Sequence, residues 1–441
     1  MRFAYNALFC VFFCLSAPFY FLKMWRRGNW RAGFGQRFGR FGTRTKQAVT
    51  NRHVVWLHAV SVGEVGVSAR LIRALEPRLP NVKFVVSTTT STGMGELQKQ
   101  LPNSVEKIYY PLDFKPWVRG AFNTLHPEVI ILVEAEIWPN FLWRAADFGL
   151  PIFLVNARLS EKSYRGYSRF GNLFRPIFRS FRAVGSQTKE DAERWIRLGV
   201  RRERIETVGS MKFDVATPKE GRRLDVRGLL RRIGVSDRAR LLVCGSTHAG
   251  EEAILADIYL RLKQRHPDLL LVLVPRHFER TKDVIRALDA RNVGFICRTE
   301  VEHVADQPRG NLDCLVVNTV GELRHFYREA EVVFIGKSLT AKGGQNPIEP
   351  AALGKAVVFG PNMQNFAAIA QMFVAREGAI QVANAAELER ELDRLLSDSP
   401  LRAKLEHNSR TVVEENSGAT QRTVEMILGH LEAGELYVAP K

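Results

Sequence analysis

Acidic residues are missing from the first 63 positions of this chain, and the first carboxylate is Glu64, in the run Val-Ser-Val-Gly-Glu. Cysteine is scarce: there are five, and no two form a Cys-x-x-Cys pair. That argues against a disulfide framework and a zinc site. Cys244, Cys297 and Cys314 fall in apolar, strand-like or loop settings and read as reduced core or boundary thiols. No low-complexity tract stands out. A P-loop is also absent, and Thr92-Gly-Met-Gly-Glu96 is too poor a match to count as a dinucleotide fingerprint.

What is present starts with charge. The 441 residues carry a formal charge of +18, although apolar content (46%) and charged content (25%) are ordinary. Such a basic balance predicts a polyanionic partner: nucleic acid, anionic lipid or a phosphorylated substrate. Residues 3–22 form an apolar stretch, and nine basic residues lie between Lys23 and Arg52. Only Arg2 precedes the stretch and Pro18 interrupts its end, which disfavours a cleaved signal peptide. Its length suits an uncleaved membrane anchor, and Lys23, Arg26, Arg27 and Arg31 place the rest of the chain in the cytoplasm. Pro18 leaves both a full span and a monotopic, partly inserted helix open.

From residue 53 the pattern becomes strand, loop, helix, strand. An apolar run at 53–58 precedes Glu64, a helical pattern carries Val67, Leu71, Leu75 and Leu79 and stops at Pro80, and a second run covers 82–86. The same grammar returns at 241–246, with Gly250-Glu251, a helical pattern over 252–265, then Pro267 and a strand at 269–274. This alternation predicts an α/β fold with two Rossmann-like domains and a ligand site in the cleft beyond the carboxyl ends of their strands. The expected organisation is an anchor at 1–24, a first domain at 25–217, an Arg/Gly-rich linker at 218–240, a second domain at 241–425 and a tail at 426–441.

Several residues have the chemistry for a site. Glu64 comes after the first strand at a helix start, where it serves either as a capping acid or as a general base. Glu134 and Glu136 end the buried run 129–133, and continued extension would put both on one face. One of the pair reads as functional and the other as structural, with Arg158 a candidate partner. Lys212, in Met211-Lys-Phe-Asp214, is a point charge able to neutralise a departing phosphate, or a lone surface lysine. Arg276 and His277 come after a strand that ends at Pro275, and arginine there suits phosphate or carboxylate recognition. In Gly343-Gly-Gln-Asn-Pro-Ile-Glu-Pro-Ala-Ala-Leu-Gly354, the glycines admit a close ligand and Pro347 fits a helix start with N–H groups aimed at an anion. Glu349 there could bond a ribose diol. Phe170, Phe174, Phe178 and Phe181, interleaved with arginines, read as core packing or as a lipid-facing surface.

Taken together, Ser61-Val-Gly-Glu64, Glu134-Ala-Glu-Ile-Trp-Pro139, Met211-Lys-Phe-Asp214, Gly245-Ser-Thr-His, Pro275-Arg-His and Gly343-Gly-Gln-Asn-Pro-Ile-Glu-Pro resemble the lipopolysaccharide Kdo transferases over nearly the whole chain. The resemblance implies the two-domain GT-B fold at the cytoplasmic face of a bacterial inner membrane. It also implies transfer of 3-deoxy-D-manno-oct-2-ulosonic acid (Kdo) from CMP-Kdo to a lipid A precursor, lipid IV-A, with inversion. Glu64 would be the base, and Glu134 and Lys212 would stabilise the transition state. CMP would lie against Pro275 and Arg276, then Val320, Gly321 and Glu322, then Asn346, Pro347, Ile348 and Glu349. Val320 stands where a methionine is frequent. The resemblance further implies metal-independent chemistry, in keeping with the lack of an Asp-x-Asp motif, so neither a metal nor another cofactor is expected. The rival readings are a membrane-associated GT-B enzyme that uses a UDP-sugar, and a membrane-tethered nucleic-acid-binding protein. Against the second, no aromatic-rich nucleic-acid motif is present, and the expected partners exclude nucleic acid.

Overall fold

The computed structural model describes residues 2–26, 31, 33–214, 224–303, 312–432 and 435–438. The chain forms two compact units, residues 1–214 with 417–441, and residues 215–416. The first is built on a parallel sheet whose strands are β1 (His53–His58), β2 (Val82–Thr88), β3 (Glu106–Tyr109), β4 (Pro127–Val133), β5 (Ile152–Ala157), β6 (Ala183–Ser186) and β7 (Ile205–Thr207). They lie in the order β3-β2-β1-β4-β5-β6-β7. Successive side chains of a strand point to opposite faces, and β1 shows the result. Val54 and Trp56 enter the core under helices Lys115–Leu125, Pro139–Asp147, Gly171–Arg179 and Lys189–Leu198. Val55 and Leu57 enter the core under Val62–Leu75. Both faces are covered, so the strands read as continuous apolar runs rather than alternating ones.

The second unit repeats the plan with β8 (Arg240–Thr247), β9 (Leu269–Pro275), β10 (Phe295–Cys297), β11 (Cys314–Val316), β12 (Ala330–Ile335), β13 (Ala356–Phe359) and β14 (Ile380–Gln381), all parallel. Their order is β10-β11-β9-β8-β12-β13-β14. Cys244, Cys297 and Cys314 are buried free thiols, as the apolar settings predict.

The unit limits differ from those drawn on the sequence. Helix Ala419–Gly429 belongs to the first unit, not to a second domain ending at 425. Its Val424, Met426 and Ile427 join the core on the Val62–Leu75 side of the first sheet. Asp214 accepts hydrogen bonds from the backbone N–H groups of Gly418 (2.6 Å) and Thr420, at the start of that helix. A carboxylate there meets the positive end of the helix dipole. Of the expected linker, 218–223 lies outside the described residues, and 226–232 is a helix whose Val226, Leu229 and Leu230 are buried.

Helix Arg2–Arg26 is long and apolar enough to cross a membrane by length and composition. One side of it is packed against the first unit. Tyr5 meets Trp143 edge-on, Phe9 stacks on Phe114, and Phe13 meets Trp117. The Tyr5 hydroxyl donates to the buried carboxylate of Asp113 at 2.7 Å, and that carboxylate also accepts the N–H groups of Asn140 and Phe141. Phe3, Leu8, Phe12, Leu15 and Phe19 are exposed.

Candidate active site

In an open parallel sheet, ligands collect outside the carboxyl ends of the strands where the strand order reverses. In the first unit that point lies between β1 and β4, and the chain delivers Glu64 just after β1 and Glu134 just after β4. Helix Val62–Leu75 starts five residues earlier than the apolar spacing predicts, because Ser61 caps it. The Ser61 hydroxyl accepts the Glu64 N–H at 3.2 Å, and Glu64 Oε2 accepts the Val60 N–H at 2.8 Å. This is a variant of the capping box in which the acid reaches the N–H of the residue before the cap, so Glu64 does serve the helix start. The side chain is only 7% exposed. Burial raises its carboxyl above the ordinary carboxylate range, and the negative charge of Glu134 adds to that, against the lowering effect of the Val60 and Ser61 hydrogen bonds.

Glu134 does not continue the strand. Its backbone takes φ +62, so the expected sharing of one face by residues two apart does not hold. The left-handed turn directs its carboxylate onto Lys212, at 2.8 Å from Oε1 to Nζ. Lys212 is thus no lone surface lysine, and the cation beside Glu134 is not Arg158, whose charge acts on Asp191. Asn156, fully buried at the end of β5 and itself at φ +50, ties the pieces together. Its Oδ1 accepts the Met211 N–H at 3.0 Å, and its Nδ2 lies 3.5 Å from Glu134 Oε1.

Glu136 is the third acid. Its Oε2 accepts the indole N–H of Trp138 at 3.0 Å. Burial first, then the charge of Glu64, pushes its carboxyl up to about 7. Sequence reasoning did not single out His58 and Tyr110. Their rings stack at 3.8 Å, and His58 Nε2 and the Tyr110 hydroxyl are buried without a hydrogen-bond partner. His58 Nδ1 is engaged by Ser87, and burial pushes the ring down to about 3, so it is neutral. The only sign of either was a polar residue at the end of an apolar run.

Glu136 should give the stability a pH dependence. Its folded-state value lies above the ordinary 4.5, so the folded protein holds a proton that the unfolded chain releases over this interval. That contribution is complete below about 4.5 and is lost as pH rises through about 7. Glu136→Gln is expected to flatten the fall in Tm between pH 5 and pH 8. Melts in which wild type and variant fall in parallel would contradict it.

In the second unit the reversal lies between β8 and β12. Glu251, placed after β8 as Glu64 is after β1, is fully buried. It accepts the N–H groups of His248 (2.9 Å), Lys337 (2.7 Å), Ser338 (3.0 Å) and Leu339 (3.0 Å), and so fixes the turn after β12. That turn leads into Gly343 (φ +128) and Gly344 (φ +70). A Cβ on Gly344 would meet Met363 Sδ at 2.5 Å and the Asn362 carbonyl oxygen at 2.9 Å, so the position is closed to other residues.

The remaining expected residues surround this turn or the neighbouring strand ends. Pro275 ends β9, and the side chains of Arg276 and His277 are exposed. Val320 is 81% exposed and Gly321 takes φ +88, whereas the Glu322 carboxylate accepts from the buried Arg298 at 3.2 Å. Asn346 Nδ2 lies 3.3 Å from Glu349 Oε1. The helix expected from Pro347 is only five residues long, Ile348–Ala352, and the Ile348 N–H is taken by Asn346 Oδ1 at 3.0 Å. Of the N–H groups expected to face an anion at this helix start, that of Ile348 is thus engaged within the loop. Of the aromatic stripe, Phe178 and Phe181 are core, Phe174 is half-buried and Phe170 is exposed.

Residues 32–215 match the family described as 3-deoxy-D-manno-octulosonic-acid transferase (kdotransferase). A 3-deoxy-D-manno-octulosonic acid transferase from Haemophilus influenzae is 30% identical over 98% of this chain and 99% of its own length. The chain belongs to the Kdo transferase family. Its counterpart from Bordetella pertussis is likewise 30% identical, over 93% of this chain and 96% of its own. Among solved structures, a putative UDP-N-acetylglucosamine 2-epimerase from Listeria monocytogenes superposes with a TM-score of 0.55 at 13% identity. It covers 87% of this chain and 97% of its own. That similarity is one of fold: two Rossmann-like units in one chain, the GT-B architecture expected for a Kdo transferase.

Proposed function

We propose that the protein transfers Kdo from CMP-Kdo to a lipid A precursor, lipid IV-A, with inversion at the anomeric carbon. What carries the reading is the convergence of Glu64, Glu134 and Lys212 at the strand-order reversal of the first sheet, in a chain that aligns with a Kdo transferase over almost its full length. Glu64 takes the proton of the acceptor hydroxyl as its oxygen attacks the anomeric carbon. The bond from that carbon to the phosphate oxygen breaks, and CMP leaves with the electron pair. A desolvated carboxylate with a raised affinity for protons suits this role. Glu134 faces the positive charge that develops on the sugar, and the ion pair with Lys212 holds its carboxylate in place. Pro275, Arg276, Val320, Gly321, Glu322, Asn346, Pro347, Ile348 and Glu349 hold the nucleotide, Glu322 through its backbone because its carboxylate is occupied by Arg298.

The N-terminal helix holds the enzyme at the cytoplasmic face of the inner membrane. The packing of one side of it on the protein supports a helix lying in the membrane surface over one crossing it. Basic residues beside it meet anionic headgroups.

The test is to incubate the purified protein with CMP-Kdo and a tetra-acylated lipid A precursor and to weigh the lipid product by mass spectrometry. A gain of one or more Kdo masses is expected, and it should persist in EDTA. A protein melted with CMP should be protected more than one melted with UMP. An unchanged lipid mass with protection by UMP would point to a UDP-sugar enzyme, and salt-steep RNA binding without response to CMP would point to a nucleic-acid-binding protein.

A further inference from the structure

A second feature of the first unit lies away from these acids. A cavity of about 450 Å3 is lined by Arg175, Arg179, Arg197 and Arg201, with Ile196 and Gly199. Arg175 and Arg179 belong to the helix that runs into β6, and Gly199 and Arg201 to the turn that runs into β7. The cavity is therefore at the amino-terminal edge of the sheet, opposite the edge that carries Glu64 and Glu134. All four arginines are exposed. Among the described residues no carboxylate pairs with any of them, whereas the neighbouring Arg194 and Arg202 pair with Glu161 and Glu193.

The plain alternative is that these charges serve the helix ends. Arg179 and Arg197 do stand in the last turns of Gly171–Arg179 and Lys189–Leu198, where a positive charge complements the dipole. Arg175 lies a turn earlier and Arg201 beyond the helix, so that account covers only half of the set. Packing also positions Arg175: a Cβ on Gly199 (φ +118) would meet Arg175 Cγ at 2.7 Å, so the glycine makes room for its stem across the turn. Four like charges around one hollow repel each other unless an anion of several charges sits among them. Guanidinium forks match phosphate oxygens two by two.

We propose that this arginine-lined cavity is a binding site for a phosphate-bearing polyanion, separate from the transfer site. The chemistry has two sources. One is a soluble diphosphate. The other is the phosphomonoester headgroup of a lipid, because the helices that bear the cavity share one core with Tyr5 of the N-terminal helix.

The experiment compares the full chain with a variant carrying Arg175→Gln, Arg179→Gln, Arg197→Gln and Arg201→Gln. A control carries Arg232→Gln, Arg238→Gln, Arg286→Gln and Arg390→Gln. Each is titrated with inorganic pyrophosphate by calorimetry and floated with phosphatidylcholine vesicles with and without phosphatidic acid. Loss of at least about tenfold in affinity in the pocket variant, and not in the control, is expected in one arm. Loss with pyrophosphate assigns a soluble ligand, and loss with phosphatidic acid vesicles assigns a lipid. Should the fourfold variant fail to give a wild-type melt, the pairs Arg175→Gln/Arg201→Gln and Arg179→Gln/Arg197→Gln replace it. Binding that is absent in the wild type, or equal in pocket variant and control for both probes, overturns the proposal.

Discussion

Glu64→Gln is expected to lower kcat by roughly two to four orders of magnitude while leaving the melting temperature close to wild type. The two halves of this expectation come from the two roles of the side chain. As a capping residue Glu64 needs only an acceptor for the Val60 N–H, and a glutamine carbonyl oxygen supplies one. As a base it needs a carboxylate, which glutamine lacks. Glu64→Ala removes both, so it should lose the same turnover and in addition about 1 kcal/mol of stability. CMP protection in a melt should be preserved in both variants, because the nucleotide is assigned to residues of the second unit. A glutamine variant with near-normal turnover would leave Glu64 as a helix cap and nothing more.

The second large effect is expected at Glu251, the acid placed after β8 as Glu64 is after β1. Its two oxygens accept four backbone N–H groups in a fully buried setting. Glu251→Leu strands all four donors, and a hydrogen bond to a charged group is worth about 1.5–3 kcal/mol. A destabilisation of at least about 3 kcal/mol is expected even if water reaches half of the freed donors. The turn at 337–339 should open first, so tryptic cleavage after Lys337 and Lys342 should precede global unfolding. All seven tryptophans lie in the first unit, so their emission would not track this loss; far-UV circular dichroism and proteolysis would. A variant that resists trypsin like wild type would show that the turn is held by its own contacts.

The two acids also show what could be read from the chain and what could not. Both stand in the same place in the strand–turn–helix grammar, and that grammar correctly announced two parallel sheets with helices on both faces. The strands were legible because sheets covered on both faces need unbroken apolar runs. The start of helix Val62–Leu75 was legible from Glu64 standing just after the strand and not from the apolar spacing, which begins only at Val67 because Gly63 and Gly66 break it; Ser61, the cap, marks the start. What Glu134 does was illegible for a different reason. Nothing local announces a glutamate at φ +62, and its partner Lys212 reaches it only through the fold. Asn156 could have been suspected, since asparagine tolerates that backbone region and stands at the end of an apolar run. The destination of helix Ala419–Gly429 was likewise invisible: its apolar side fits any covered sheet, and Asp214 selects the first.

That returning helix has a consequence for biosynthesis. Emerging from a ribosome, the chain presents residues 215–416 before the segment that finishes the earlier core emerges. The later-numbered unit can therefore mature first, while Asp214 and the apolar patch around Val55 and Leu57 wait for Val424, Met426 and Ile427. A released chain truncated after residue 416 should show protease-resistant structure for 224–416 and a loosened amino-terminal half, the reverse of the usual vectorial order.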